Sequence, residues 1–277
     1  MTLPVKSDAL LRKRIRRFFR DKPALLELIS KLETIAPVAV FGGLLRDASV
    51  FGMRKFTSDI DLVIEREDDS QFHHLLHDIE HSINRFGGYR LIVGGWCVDL
   101  WPLGTTWAIK QGLVVGSNLD VLPKTTFFSC DAIAFDLTRR VLYQSNHYRH
   151  WVDERFLDIN LLDNPNYLGS TVRALRFLAT VEELQVGPRL VDFLRSSLQT
   201  FTYDQICSKE ASSYSAPILH TGWITKLSLA LQHHKSGAKD PCFSFDRSTD
   251  GQQLCWPLEG LSRYSSDEEL RRSAKVN

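Results

Sequence analysis

Short apolar runs alternate with segments of helical periodicity over the first 150 residues of the chain. Residues 37–41 form an apolar run that ends in Gly42-Gly43, the pattern of a buried strand entering a tight turn. Residues 89–93 and 97–101 are two further runs separated by Gly94-Gly95, which predicts a hairpin. The predicted strands are residues 37–41, 60–64, 89–93, 97–101, 132–137 and 141–143.

Helical periodicity dominates after about residue 150. Residues 172–184 and 190–198 carry apolar positions at helical spacing and are separated by Gly187-Pro188. Two helices are also predicted earlier, over residues 44–50 and 69–83. The chain is therefore predicted to be of the α+β class, with a mixed or antiparallel sheet and flanking helices followed by a helical region. The predicted regions are a basic helical segment (1–33), a head (34–150), a helical neck (151–235) and an irregular C-terminal segment (236–277).

The overall composition is that of an ordinary globular protein. Of 277 residues, 43% are hydrophobic and 24% charged, which excludes wholesale disorder and fibrous repeats. No apolar run approaches the roughly 18 to 20 residues that a membrane span needs, and the N-terminus lacks the apolar core of a signal peptide. The five cysteines are scattered and form no CxxC pair, which speaks against a disulfide framework or a zinc knuckle. We expect a cytoplasmic protein without a membrane partner.

The net charge of +1 conceals a strongly basic N-terminal segment. Residues 6–22 carry eight basic and two acidic side chains, a net charge of +6. Four apolar residues recur there at helical spacing and predict an amphipathic helix: Leu11, Ile15, Phe18 and Phe19. Its cationic face either binds a polyanion such as RNA or is a solvated face on a helix that docks by its aromatic side. For the first alternative, the candidate RNA-binding residues are Arg12, Arg14, Arg16 and Arg17.

Two glycines and three acidic residues stand in an order that indicates phosphate chemistry. Gly42-Gly43 ends a predicted strand and directly precedes a predicted helix. Glycine lets the backbone approach a phosphate closely, and the N–H groups at a helix N-terminus favour anions. Asp59 and Asp61 are two residues apart, so on a strand both carboxylates project from the same face.

Paired carboxylates of this kind are typical of a magnesium site. Two like charges held together are costly unless cations neutralise them, and hard oxygen ligands suit Mg²⁺. A third carboxylate on a neighbouring strand would complete a site for two ions about 3.5 to 4 Å apart, and Asp99 is the candidate. The predicted reaction is in-line attack by an alcohol on the α-phosphate of a nucleotide, with release of pyrophosphate.

This arrangement resembles the polymerase-beta-type nucleotidyltransferases, especially bacterial poly(A) polymerases and class II tRNA CCA-adding enzymes. Residues 128–137 are similar to the family's FTINALAYDL segment, which lines the ribose side of the nucleotide pocket and would place Asp131 there. Residues 173–179 are similar to the family's R-x-x-R-F-A-A helix, which would place Arg173 and Arg176 near the base and triphosphate. The resemblance covers about residues 34–200 and implies a polymerase-beta-like head.

The arginines of this set have structural alternatives. Arg46 either supports the nucleotide pocket or forms a structural ion pair with Asp47 at the helix start. Arg173 and Arg176 pair either with substrate phosphates or with carboxylates of the core.

The chain departs from the family pattern where the family reads the base. Thr125-Thr126-Phe127 stands in place of the family's Arg-Arg-Asp. Asn166, Tyr167 and Ser170 stand in place of the charged residues of its E-D-x-x-R motif. The residues that follow the neck are also fewer than the family's RNA-gripping body and tail. We therefore expect an altered preference for nucleotide or acceptor.

The sequence thus predicts an enzyme that transfers NMP, with AMP expected, from an NTP to an RNA 3′-hydroxyl. Two Mg²⁺ ions are expected at Asp59, Asp61 and Asp99, with ATP as the expected substrate and RNA, including tRNA, as the expected acceptor. Two alternatives stay open. One keeps the chemistry but uses a protein or small-molecule acceptor, or makes an oligonucleotide signal. The other is a non-catalytic RNA-binding module with the same fold.

Overall fold

A computed structural model describes residues 7–50, 52–53, 56, 58–66, 72–77, 79–84, 86–234 and 242–245. Apart from residues 242–245, the predicted irregular C-terminal segment lies outside the described residues. The strands are β1 (Val38–Phe41), β2 (Ile60–Ile64), β3 (His81–Ile83), β4 (Tyr89–Val93), β5 (Trp96–Pro102), β6 (Ile133–Asp136), β7 (Leu142–Gln144), β8 (Phe156–Leu157) and β9 (Gln185–Val186).

The helices flank this sheet in the first part of the chain and dominate its second part. They are α1 (Asp8–Arg20), α2 (Pro23–Glu33), α3 (Gly43–Val50), α4 (Phe72–Leu76), α5 (Trp107–Lys110), α6 (Asn146–Glu154), α7 (Tyr167–Thr180), α8 (Pro188–Thr200), α9 (Tyr203–Ser213) and α10 (Thr221–His233). Short 3₁₀ helices cover Leu103–Thr105, Leu119–Thr125 and Ser129–Asp131. Within the described ranges, no helix is long and apolar enough to cross a membrane.

Seven strands form one mixed sheet in the order β3-β4-β5-β2-β1-β6-β7. Among the described strands of this sheet, β2 and β5 pair in parallel and the other pairs are antiparallel. The predicted α+β class, a sheet with flanking helices followed by a helical region, is confirmed by this arrangement. β8 and β9 form a separate two-stranded parallel ribbon.

Alternation along the central strands gives the sheet two different faces. On one face, Val40, Leu62 and Leu100 belong to the main hydrophobic core with the helices. On the other face, Ala39 and Val63 pack in a smaller cluster with the loops that follow β5. Because side chains on a strand alternate between faces, odd-numbered positions of β1, β2 and β5 point away from the main core. The candidate site lies on this second face.

The basic N-terminal helix packs on the head by its apolar side. The apolar residues of α1 predicted from helical spacing are all buried: Leu11, Ile15, Phe18 and Phe19. They belong to the same hydrophobic core as the sheet, and α1 lies against α3. An amphipathic helix buries its apolar stripe and leaves its charged face to solvent. The cationic face is therefore presented by a docked helix.

The predicted helix over residues 69–83 is wrong in its second half. α4 is short and ends at Leu76, while His81–Ile83 forms the edge strand β3. β3 pairs in register with β4, so backbone pairing with an existing strand replaces the helical hydrogen bonds that local spacing favours. The predicted strand at residues 60–64 coincides with β2, and the other predicted strands lie within two residues of those observed.

Candidate active site

Three carboxylates meet on the second face of the sheet. β2 and β5 are parallel neighbours, and their register places Asp61 directly beside Asp99. Asp59 immediately precedes β2 and shares the face of Asp61 because it is two residues away. All three line a cleft of about 300 Å³. The strands thus bring together the three acidic residues expected from the sequence.

Arg90 is a further charged residue at this site, and it is not among those expected from the sequence. It lies on β4 directly opposite Asp99. Its Nε donates to Asp99 Oδ1 at 2.9 Å and its Nη2 donates to Asp99 Oδ2 at 2.9 Å. The same Nη2 donates to Asp59 Oδ2 at 3.2 Å. These bonds to carboxylates, chiefly to Asp99, raise the pKa of Arg90 above its ordinary value, so the guanidinium stays charged.

The hairpin predicted from the sequence already determines which residue lies opposite Asp99. A two-residue turn at Gly94-Gly95 pairs Val93 with Trp96, and counting outward pairs Arg90 with Asp99. Both glycines have positive φ, of 56° and 81°, which is the requirement of the tight hairpin turn. Hairpin register therefore fixes the neighbour of the third carboxylate.

Cys97 adds a thiol beside the carboxylates. Burial, followed by the negative charge of Asp59, raises the pKa of Cys97 to about 12. A thiol with this pKa is protonated at neutral pH and is a poor nucleophile. Cys97 is therefore a small packing residue and a weak donor beside Asp59, and it is no candidate for covalent catalysis.

The glycine turn stands at the wall of the same cleft. Gly42 has φ +70°, a left-handed conformation that other residues adopt only with strain. Gly43 is the first residue of α3, and a Cβ built on it would lie 3.5 Å from Arg46 Nη2. Both glycines line the cleft, so the N-terminus of α3 is exposed to whatever the cleft binds. This geometry is suited to an anion.

Behind the turn, two arginines share one carboxylate. Asp131 accepts from Arg46 Nη1 at 2.8 Å and from Arg173 Nη2 at 2.6 Å. Arg46 Nε also donates to Asp47 at 2.8 Å. Burial raises the pKa of Asp47, and Arg46 partly opposes this rise. Arg46 and Asp131 are both buried and Arg173 is partly exposed, so the shared carboxylate holds the Arg173 guanidinium at the cleft wall.

Arg176 lies elsewhere. It is fully buried and forms an ion pair with Glu210 of α9, which is also fully buried. Its guanidinium lies 4.1 Å from the centre of the Tyr214 ring, and Nη1 also donates to the backbone oxygen of Ala216 at 3.0 Å. Of the two alternatives for Arg176, the structure shows the pairing with a core carboxylate. The expected position of Arg176 near the nucleotide is therefore corrected, because Arg176 does not line the cleft.

Polar side chains line the cleft where the sequence departs from the charged motif of the resembled family. Asn166 accepts from the backbone N–H of Gly169 at 3.2 Å and caps α7. Asn164 Oδ1 accepts from Asn166 N–H at 2.9 Å and from the Ser170 hydroxyl at 3.1 Å. These residues, with Thr126 and Phe127, line the cleft and carry no formal charge, and the adjacent Asp163 adds one carboxylate to the lining.

The four arginines proposed for RNA binding differ in their surroundings. Arg16 and Arg17 are exposed on α1, whereas Arg12 and Arg14 are half-buried. Arg14 Nη1 donates to the backbone oxygen of Ala48 at 2.6 Å and so ties α1 to the end of α3. Arg16 and Arg17 are accordingly the pair best presented to a polyanion.

No protein-family model and no curated protein matches the chain. Similar solved structures include the Thermotoga maritima CCA-adding enzyme complexed with tRNA, at 19% identity and a TM-score of 0.49 over 76% of this chain and 50% of that chain. A CCA-adding enzyme with ATP is 18% identical with a TM-score of 0.48 over 76% and 51% of the two chains. A tRNA nucleotidyltransferase with primer tRNA and an ATP analog is 16% identical with a TM-score of 0.46 over 64% and 52%.

These are the kinds of enzyme that the sequence motifs resemble. The chain spans about half the length of these structures. At these identities and TM-scores, the likeness carries no conclusion about activity.

Proposed function

We propose that this chain is a Mg²⁺-dependent nucleotidyltransferase that moves NMP, with AMP expected, from an NTP to an RNA 3′-hydroxyl. The observation that carries the proposal is the meeting of Asp59, Asp61 and Asp99 on one sheet face, in a cleft that also contains the Gly42-Gly43 turn. A metal-bound triphosphate needs carboxylates to hold the metal and a helix N-terminus to bind the phosphates, and this cleft contains both.

The carboxylates fit magnesium by their chemistry, and Arg90 limits the fit. Hard carboxylate oxygens on one face suit Mg²⁺, which also shares phosphate oxygens and water. Within the described residues, however, no group of three His, Cys, Asp or Glu side chains stands ready to hold a metal. Both oxygens of Asp99 accept from Arg90, and one oxygen of Asp59 accepts from it as well. Asp59 and Asp61 would hold Mg²⁺ together with Asp99, whose two oxygens Arg90 occupies.

The chain's own groups have distinct tasks in the proposed reaction. Mg²⁺ bound at the carboxylates would supply positive charge to the triphosphate and lower the pKa of the acceptor hydroxyl. The Gly42-Gly43 turn and the start of α3 would bind phosphate oxygens. Arg173, held by Asp131 at the cleft wall, would orient the nucleotide. Trp101 and Trp107 line the cleft and offer aromatic faces to a base.

RNA is the acceptor that the surface favours. The exposed cationic face of α1 carries Arg16 and Arg17 and provides positive charge for a polyanion. The tRNA and ATP named for the similar solved structures are the first substrates to test.

The test is an incubation of the protein with labelled NTPs, Mg²⁺ and pooled RNA, followed by separation of the products. We expect label at RNA 3′ ends. Asp59→Asn and Asp61→Asn should each reduce incorporation by about 100-fold or more, because each removes a ligand charge from the metal site. Asp120→Asn is the matched control, since Asp120 is an exposed carboxylate that does not line the cleft, and it should leave the rate unchanged.

The possible results separate the alternatives. Label on the protein or on a small molecule alone would reject RNA as the acceptor and retain the chemistry. If the Asp59→Asn and Asp61→Asn variants kept every activity of the wild type, the enzyme would be rejected in favour of a non-catalytic RNA-binding module. Thermal melting of each variant checks that the fold is retained.

A further inference from the structure

Arg90 occupies the place of a cation between two of the three carboxylates. Its Nη2 lies 2.9 Å from Asp99 Oδ2 and 3.2 Å from Asp59 Oδ2, so one positively charged group bridges both side chains. Its Nε takes the remaining oxygen of Asp99. Three carboxylates held close together repel one another, and a cation between them relieves this repulsion. The positive charge of the guanidinium therefore relieves the repulsion between Asp59 and Asp99, as a metal cation would.

The hairpin makes this placement a fixed feature of the chain. Arg90 and Asp99 are cross-strand partners that the Gly94-Gly95 turn sets in register. A slip by one residue would move the buried side chains of β4, such as Leu91, to the opposite face of the sheet. Arg90 thus stays beside Asp99 whatever the site binds, and only the rotamer of its long side chain is free to change.

The exposure of the pair permits such a change. The side chain of Arg90 is 25% exposed and that of Asp99 12% exposed. A partly exposed guanidinium has water as an alternative partner, unlike the fully buried Arg176. Arg90 therefore binds Asp99 in the resting arrangement, and its guanidinium can exchange this carboxylate for water.

We infer that Arg90 is a positioning residue that competes with a divalent ion for Asp99. This inference rests on the proposed function, because it requires a divalent ion at these carboxylates. In the resting arrangement Arg90 occupies both oxygens of Asp99. A second ion, which needs Asp99, binds only when the guanidinium turns away. The three-carboxylate site is therefore assembled by metal and substrate together.

The experiment measures metal binding directly and requires no turnover. Mn²⁺ is titrated into the full chain in the presence of a non-hydrolysable ATP analog, and free Mn²⁺ is followed by electron paramagnetic resonance. Wild type should show one tight and one weak ion. Arg90→Met, which keeps a long unbranched side chain without charge, should tighten the weak ion by about tenfold or more, equivalent to at least about 1.4 kcal/mol.

The effect must depend on Asp99 if the competition is direct. In an Asp99→Asn background, Arg90→Met should give a much smaller gain in Mn²⁺ binding, because only the 3.2 Å contact with Asp59 is left to release. A general electrostatic effect of the missing cation would persist in that background. Arg90→Lys keeps the charge but not the two-pronged contact, and it should tighten the weak ion by about threefold. This variant also serves if Arg90→Met fails to fold.

The outcomes separate this inference from the proposed function. If Asp59→Asn and Asp61→Asn abolish Mn²⁺ binding but no Arg90 variant alters it, the competition is rejected and the metal site stands. An equal gain from Arg90→Met with and without Asp99 likewise rejects direct competition. If wild type and all variants bind no Mn²⁺, the proposed function and this inference both fail.

Discussion

At the scale of single residues, the two glycines of the turn have different reasons to be glycine. Gly42 has φ +70° and open space where a Cβ would lie, so the left-handed backbone conformation is the reason for glycine at this position. Gly43 has an ordinary φ, and a Cβ there would meet the Arg46 guanidinium at the cleft wall. If the turn binds phosphate, the missing side chain at Gly43 lets the phosphate approach the backbone closely, and it is not required for folding.

Paired substitutions separate these roles. Gly42→Ala should lower the free energy of unfolding by about 1 to 2 kcal/mol, because a left-handed conformation is strained for alanine. Gly43→Ala should leave stability unchanged or slightly higher, since alanine is the better helix former. It should nevertheless raise KM for the NTP by about tenfold, a loss of roughly 1.4 kcal/mol of binding. Chemical denaturation and steady-state kinetics measure the two effects. An unchanged KM for Gly43→Ala would remove this glycine from phosphate binding.

Residue-level prediction from the sequence succeeded where short-range geometry decides. Asp59 and Asp61 share a face because strand alternation requires it, and Asp99 joins them through the parallel register of β2 and β5. Arg90 was also within reach of the same geometry, because a two-residue hairpin fixes its partner. Arg176 was not, because its partner Glu210 is 34 residues further along the chain, on a helix whose packing no local pattern specifies.

At the scale of elements, the ion pair of Arg176 and Glu210 joins α7 to α9. Glu210 also accepts from the backbone N–H groups of Ile218 at 3.1 Å and Leu219 at 2.9 Å. One buried carboxylate thus connects α7, α9 and the segment that leads to α10. Buried charges of this kind are sensitive to the loss of either partner, because the remaining charge has no solvent.

Glu210→Gln should therefore lower the free energy of unfolding by about 3 kcal/mol or more. KM for the NTP should stay at the wild-type value in the folded fraction, because Arg176 does not line the cleft. The double variant Arg176→Met with Glu210→Met should lose less stability than the two single changes added together, since no charge is left buried. Denaturant titrations of the wild type, Glu210→Gln, the two single Met variants and the double Met variant measure these effects. A raised KM at full folding would return Arg176 to the nucleotide site.

Edge elements were the least predictable part of the fold. The central strands are marked by short apolar runs, and their predicted bounds lie within two residues of those observed. β3 is exposed at all three positions, so its sequence carries no hydrophobic alternation, and only its pairing with β4 makes it a strand. An element that owes its structure to a neighbour leaves no periodic signal of its own.

At the scale of the whole molecule, the near-neutral charge is a sum of separate surfaces. The basic N-terminal segment forms α1, whose apolar side is part of the main core. α1 lies against α3, the helix whose first residue lines the cleft. The cationic face of α1 therefore lies on the main-core side of the sheet, and the three carboxylates lie on the other side.

The exposed charges of α1 should determine the salt dependence of RNA binding. Arg16→Gln with Arg17→Gln should weaken binding, and the slope of log affinity against log salt should flatten by about 1.4, or roughly 0.7 for each lost phosphate contact on single-stranded RNA. Lys31→Gln with Arg140→Gln is the matched control, because it removes two exposed positive charges from other elements. Arg14 is left intact, since its bond to Ala48 holds the helix on the head. Fluorescence anisotropy over a range of salt concentrations measures both slopes. If both double variants flatten the slope equally, net charge governs RNA binding and α1 is no specific RNA surface. If neither variant flattens the slope, the cationic face of α1 is a solvated surface and the helix serves only to cover the core.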